Sequence, residues 1–160
     1  MGSARLSVEA KNPLIDKICG RTGNGSFCES VLSVDPRLEG ADLKSIAVYF
    51  TGTETVNFTD TFQAVNSLRD NATDPKMKQV LTYCSQIYKV ALDSIDASTR
   101  FAMSLNCTAL IDEVQNPPEV ANTCEYEFKV TPLPSPLTQR NQICEALGNI
   151  MVAIAHLLCP

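Results

Sequence analysis

Apolar residues along this chain recur in steps of three and four, the spacing that gathers side chains on one side of an α-helix. The clearest run holds Met77, Leu81, Cys84, Tyr88, Ala91 and Ile95 and predicts a helix from Pro75 to about Ser104. Asp74 supplies its cap and Pro75 its first position, inside the turn Asn71-Ala72-Thr73-Asp74-Pro75. Upstream, Leu43, Ile46, Ala47, Phe50, Phe58, Phe62, Val65 and Leu68 mark a long helix from about Ala41 to Asp70. Gly52 and its neighbouring threonines weaken the middle of that helix, so a kink or fray is expected there. Downstream, Asn106-Cys107-Thr108 opens a segment running to Val114. Asn116-Pro117-Pro118 interrupts it, because proline lacks a donor and clashes with the preceding turn. Helix is expected to resume from Glu119 through Phe128. After Pro132, Pro134 and Pro136, a final helix carries Cys144, Leu147, Met151, Ile154 and Leu158.

Two shorter elements precede these four. Asn12 and Pro13 are a cap and first position for a helix through Cys19, which ends at Gly20. A second short helix spans Ser26 to Leu32. Neither is long enough to persist alone. A Cys19–Cys28 bridge, closing a small loop, is expected to clip them into a hairpin over residues 13–35, after which Asp35-Pro36 breaks the chain. Residues 1–12 read as a disordered arm or an expression remnant. No segment alternates as a strand does, so the chain is all-α. Four long helices with one-sided apolar faces and short links bury those faces best as an antiparallel four-helix bundle, here 41–158, within one domain spanning 13–160.

Bulk properties narrow the function classes. At 160 residues and 44% hydrophobic the chain builds a real core. Its formal net charge is −5 with no basic run longer than two residues, which argues against a nucleic-acid partner and suits a basic cleft. No stretch is a membrane span: the longest candidate, Ile143 to Leu158, is broken by Glu145, Asn149 and His156. The single histidine, His156, lies in an apolar helix with no nucleophile motif beside it, and no catalytic constellation assembles. Asp93, Asp96, Asp112, Glu113, Glu125 and Glu127 read as a solvated polar face or a docking surface rather than as acid and base.

Seven cysteines, at 19, 28, 84, 107, 124, 144 and 159, show no Cys-x-x-Cys spacing, which leaves neither a structural zinc site nor any cofactor to expect. Disulfides in an oxidising compartment are the better account. Four sequons, at Asn24, Asn57, Asn71 and Asn106, agree with a secreted, glycosylated chain. Cys144 falls on the buried stripe of the last helix, where an inert free thiol is expected. It cannot join Cys159, about 22 Å away along the same helix. Cys107 and Cys159 would lie at the same end of an up-down bundle; whether they form a third bridge stays open.

Several short motifs, in order, resemble the plant invertase and pectin methylesterase inhibitors. Ile18-Cys19, Cys28, Leu32 and Asp35-Pro36 are similar to the N-terminal hairpin of that family. Asp42-Leu43, Thr73-Asp74-Pro75-Lys76, Cys84 with Tyr88 and Leu92-Asp93, Thr123-Cys124-Glu125 and Ser135-Pro136-Leu137-Thr138 continue the match. The resemblance spans about residues 13 to 158. It implies a secreted, non-enzymatic inhibitor with bridges Cys19–Cys28 and Cys84–Cys124, blocking a carbohydrate-active enzyme's cleft in a one-to-one complex. Within the family, invertase inhibitors often bear Pro-Lys-Phe between the second and third bundle helices. This chain has Ser104-Leu105-Asn106-Cys107 there, and Cys144 looks like the extra cysteine of many methylesterase inhibitors. Both features favour pectin methylesterase as the partner. An acid invertase is the alternative, as is a non-inhibitory interaction or defence protein of the same fold. The family usually has an Ala-rich helix where this chain has Asn116-Pro117-Pro118. The expected docking residues are polar side chains flanking the larger bridge: Gln86, Asp93, Thr123, Glu125 and Tyr126. The expected location is the apoplast or cell wall, with the vacuole as the alternative.

Overall fold

The computed structural model describes residues 12–160, so an arm over residues 1–11 lies outside the described residues. Seven α-helices are present among them: α1 Pro13–Cys19, α2 Gly25–Leu32, α3 Leu43–Asn71, α4 Pro75–Ser104, α5 Cys107–Val114, α6 Asn116–Val130 and α7 Thr138–Leu158. A single 3-10 turn, Pro36–Leu38, links the hairpin to α3, and no strand occurs among the described residues. The fold is all-α. Helix α3 lies beside α4 and α7, and α5–α6 closes the ring between α4 and α7. The α1–α2 hairpin rests on one end of α7.

Asn12 belongs to the fold rather than to an arm. Its side chain is buried, accepts from the Leu14 amide at 3.0 Å, and donates to the Leu38 and Ala41 carbonyls at 2.8 and 2.9 Å. One amide thereby caps α1 and fastens it to the linker before α3.

Two expectations are corrected. Helix α3 is continuous for 29 residues, so the fray expected near Gly52 is absent. Gly52 faces solvent, so it loosens nothing in the core, while Thr51 is buried and accepts a 2.8 Å hydrogen bond from Thr99 of α4. That tertiary contact outweighs the weak local propensity. The second correction concerns Asn116-Pro117-Pro118. Helix α6 begins at Asn116, not Glu119, and Pro117 and Pro118 are buried in its first turn. A first turn has orphan amides in any case, so prolines cost no hydrogen bond there. The interruption is confined to Gln115, between α5 and α6.

Pro118 also explains Gly148 on α7. A Cβ added at Gly148 would sit 2.7 Å from Pro118 Cδ and 2.8 Å from its nitrogen. The ring cannot swing aside, so α6 and α7 approach this closely only over a glycine. Gly148→Ala is expected to lower the unfolding free energy by about 1–3 kcal/mol through overpacking, read from the urea midpoint.

The core has two parts. One lies under the hairpin and includes Ile18, Leu32, Leu38, Ile46, Phe50, Leu110, Met151 and Ile154. The other surrounds the larger bridge and includes Phe58, Leu81, Cys84, Tyr88, Ile95, Cys124, Phe128 and Leu137. At α4's end, Leu105 takes the left-handed conformation (φ 54°) and turns the chain into α5.

Candidate docking surface

Helices α4 and α6 form one wall of the bundle. Cys84, in the middle of α4, is joined to Cys124 on α6. A second tie runs from the Asn116 side-chain amide to Ser94 Oγ at 3.0 Å. The wall's outer surface follows from spacing. Gln86, Val90 and Asp93 are exposed on α4 in steps of four and three, hence on one outward stripe. Thr123, Tyr126 and Val130 repeat in steps of three and four on α6, with Tyr126 58% and Val130 51% exposed. Val90 is 52% exposed, so the wall offers apolar contact area between polar groups. Asp93 accepts from Lys89 at 2.9 Å, an exposed i,i+4 pair worth a few tenths of a kcal/mol and readily exchanged for another partner, about 0.3–0.5 kcal/mol.

Glu125, half-buried like Thr123, lies beside Tyr126 but off this stripe, and its carboxylate is already held by hydrogen bonds. It points toward the start of α7, where Ser135 Oγ of the preceding link donates at 2.9 Å, Thr138 Oγ1 at 2.5 Å and Asn141 Nδ2 at 2.8 Å. Burial works to raise its pKa, but those three hydrogen bonds outweigh it and hold the carboxyl below the ordinary glutamate value. Helical geometry explains the difference: Glu125 is one step from Cys124 and so about 100° around α6 toward α7, whereas Tyr126 is two steps on and faces out.

The network continues inward. Asn141, buried on α7, accepts from the Tyr88 hydroxyl at 2.6 Å, and its amide nitrogen lies 3.5 Å from Cys124 Sγ. Burial raises the Tyr88 phenol's pKa far above its ordinary value, keeping it a neutral donor. The Glu125–Asn141–Tyr88 chain thus braces the larger bridge from behind. Asn141 was not singled out by sequence reasoning, although it precedes Cys144 by three residues and shares its buried stripe. Its polar type concealed a position that the periodicity exposes.

Glu54 was missed for the same reason. It falls on α3's buried stripe between Phe50 and Phe58, is 1% exposed, and its Oε2 has no hydrogen-bond partner. Burial alone pushes its pKa well above the ordinary value.

The remaining cysteines are also placed. Cys19 is joined to Cys28 and Cys107 to Cys159, leaving buried Cys144 as the free cysteine. Its thiol lies 3.4 Å from Thr61 Oγ1, and burial raises its pKa. Unfolded, unreduced protein is therefore expected to titrate one thiol per chain; three would remove the Cys107–Cys159 bridge. Among the sequons, Asn24 and Asn106 are exposed helix caps. Asn57 is half-buried mid-α3 and donates to the Thr53 carbonyl at 2.9 Å; Asn71, exposed at α3's end, donates to Ser67's at 2.9 Å.

No helix among the described residues is long and apolar enough to cross a membrane. No cluster of three or more His, Cys, Asp or Glu suited to a metal ion occurs among them either.

Comparison with known proteins places this architecture. The sequence matches the family described as plant invertase/pectin methylesterase inhibitor over residues 13–154. A pectinesterase inhibitor from Actinidia deliciosa is 34% identical over 157 residues, 98% of this chain and 85% of that protein. A cell wall / vacuolar inhibitor of fructosidase 2 from Arabidopsis thaliana is 34% identical over 97 residues, 58% of this chain and 54% of that protein. The crystal structure of a mutant form of an Arabidopsis pectin methylesterase inhibitor superposes with a TM-score of 0.80 at 20% identity, covering 93% of this chain and 99% of that one, which shows the shared fold. These relatives are inhibitors, not enzymes. On the family match and the full-length relative, the chain belongs to the plant invertase/pectin methylesterase inhibitor family.

Proposed function

We propose that this protein inhibits a pectin methylesterase by laying the α4–α6 wall over the enzyme's substrate cleft in a one-to-one complex. The observation that carries the reading is the wall itself: the exposed stripe Gln86–Val90–Asp93 and the stripe of exposed Tyr126 and Val130 with half-buried Thr123, tied together by the Cys84–Cys124 bridge. A bridged wall has little freedom to lose on binding, so more of its contact energy appears as affinity. Tyr126 is the aromatic anchor such an interface favours, with Gln86, Asp93 and Thr123 as its polar rim. The chain's net charge of −5 suits a basic cleft.

The methylesterase is preferred over an acid invertase because the pectinesterase inhibitor of Actinidia deliciosa aligns with nearly the whole chain, and the fructosidase inhibitor with just over half. The secreted form acts in the cell wall, where methylesterified pectin lies.

Purified protein titrated against a plant pectin methylesterase and an acid invertase tests the reading. Inhibition of the methylesterase alone, with an endpoint at one inhibitor per enzyme, is the expected result. Inhibition of the invertase alone transfers the wall to the other target. No effect on either assigns the fold to a non-inhibitory interaction role. Tyr126→Ala is expected to weaken methylesterase inhibition at least tenfold while leaving the urea midpoint unchanged, since truncating an interface anchor costs about 2 kcal/mol or more.

A further inference from the structure

A groove runs along the outer side of α7, with its near end away from the α4–α6 wall. Its near bank is the turn between α1 and α2, and its far bank is the start of α6. The near end is a depression of about 190 Å³, with room for a single sugar residue. Asn24, Phe27, Gln142, Glu145 and Asn149 line it. An aromatic ring among amides and a carboxylate is the chemistry that holds a saccharide: apolar ring faces rest on Phe27 while hydroxyl and acetamido groups hydrogen-bond to Gln142, Glu145 and Asn149.

Asn24 heads the sequon Asn24-Gly25-Ser26, so the groove contains its own attachment point. Asn24 Oδ1 caps α2 by accepting from the Phe27 amide at 3.2 Å. That bond fixes the side-chain amide with Nδ2, the atom that carries a glycan, turned away from the helix. Asn106 caps α5 in the same way, its Oδ1 accepting from the Ala109 amide at 3.4 Å, but it does not line the groove; the remaining two sequons differ in their bonding. Asn57 Nδ2 is spent on the Thr53 carbonyl within a helix, and Asn71 Nδ2 on the Ser67 carbonyl. In Asn106-Cys107-Thr108 the middle residue is tied to Cys159. None of these three asparagines lines the groove.

We infer that Asn24 carries an N-linked oligosaccharide whose first sugar is seated in the groove between the α1–α2 turn and α7. In the attachment step Nδ2 forms a bond to C1 of a lipid-linked oligosaccharide. The C1–oxygen bond to the donor's diphosphate breaks, the lipid diphosphate leaves, and Nδ2 loses one proton. Seating stiffens the hairpin against α7 and leaves the α4–α6 wall uncovered, so the glycan and the enzyme do not compete. The inference rests on the secretory reading, since the lipid-linked donor is met in that compartment.

The test is to produce the chain in a eukaryotic secretory host behind the host's own signal, map glycans by mass spectrometry, and compare hydrogen exchange in three forms. These are the glycosylated chain, the chain trimmed to the first sugar, and Asn24→Gln. Occupancy at Asn24 is expected, with amides around Phe27 and residues 142–149 slowed in the first two forms and fast in the third. The glycan is expected to raise Tm by about 2–4 °C, the shift for one well-seated ring in a domain of this size. Glu145→Ala with Asn149→Ala should keep occupancy and lose the protection. An Asn24 left bare in a secreted chain glycosylated elsewhere overturns the site. Occupancy without slowed exchange overturns the seat. A chain retained in the cytosol of its own tissue overturns the secretory reading instead.

Discussion

Replacing Glu54 with methionine is expected to raise the unfolding free energy at pH 7 by about 1–3 kcal/mol, the cost of leaving a buried polar atom unmatched. Glu54 sits between Phe50 and Phe58 on the inner side of α3, and its Oε2 finds no donor. Methionine keeps nearly the same length and volume and needs no partner. The pH dependence carries the diagnosis. Burial raises the folded-state pKa of Glu54 above its unfolded value, so the folded state holds the proton more tightly. Stability from this group is therefore complete below the ordinary glutamate range and declines as pH rises from there toward the raised folded value. Within that window the slope is about 1.4 kcal/mol per pH unit for one proton. Asp35 and Glu125, with lowered pKa values, act in the opposite sense and lose stability as the medium is acidified. The wild-type curve mixes both trends, and the difference between wild type and Glu54→Met isolates one. Urea melts from pH 4 to pH 8 should show the variant's advantage growing with pH. A difference that stays flat across that range would mean Glu54 is not the proton-binding group.

Removing the larger bridge by Cys84→Ala with Cys124→Ala is expected to cost about 4 kcal/mol, because the bridge closes a 40-residue loop in the unfolded chain. Two well-filled positions in the inner core are truncated at the same time, so the measured loss should not fall below that figure. Equilibrium urea unfolding at fixed pH reads it. The functional consequence is separable. At a temperature where the double variant remains folded, its inhibition of the target enzyme should weaken by more than tenfold, since α4 and α6 are then held side by side by packing and the Asn116–Ser94 hydrogen bond alone. Unchanged inhibition would show that the wall keeps its geometry without the covalent tie.

Much of the architecture was legible because it is periodic. The α4 stripe from Met77 to Ile95 is read directly as a buried face, and Asp74-Pro75 marks its start to the residue. The middle of α3 and the beginning of α6 illustrate where such reading stops. Gly52 and its threonines lower helix propensity by amounts that a single tertiary contact, Thr99 to Thr51, outweighs. Pro117 and Pro118 break a helix interior but begin one comfortably, and nothing local distinguishes the two settings. The proposed docking surface was legible as a region rather than residue by residue. Gln86, Asp93 and Tyr126 are exposed, whereas half-buried Glu125 is engaged by Ser135, Thr138 and Asn141, residues at least ten positions away.

What the sequence by itself determined is the all-α class, the helix count of the bundle, the hairpin and the family. Each follows from spacing, capping and ordered motifs, which act over a few residues. The tertiary structure alone decided which polar groups are inside. Glu54 and Asn141 share the buried stripes with apolar neighbours, but a buried carboxyl and a buried amide differ in what the facing helix offers them. Asn141 meets Tyr88 and Glu125; the Oε2 of Glu54 meets no donor. Hydrogen bonds between helices depend on contacts distant in sequence, and no local pattern encodes them.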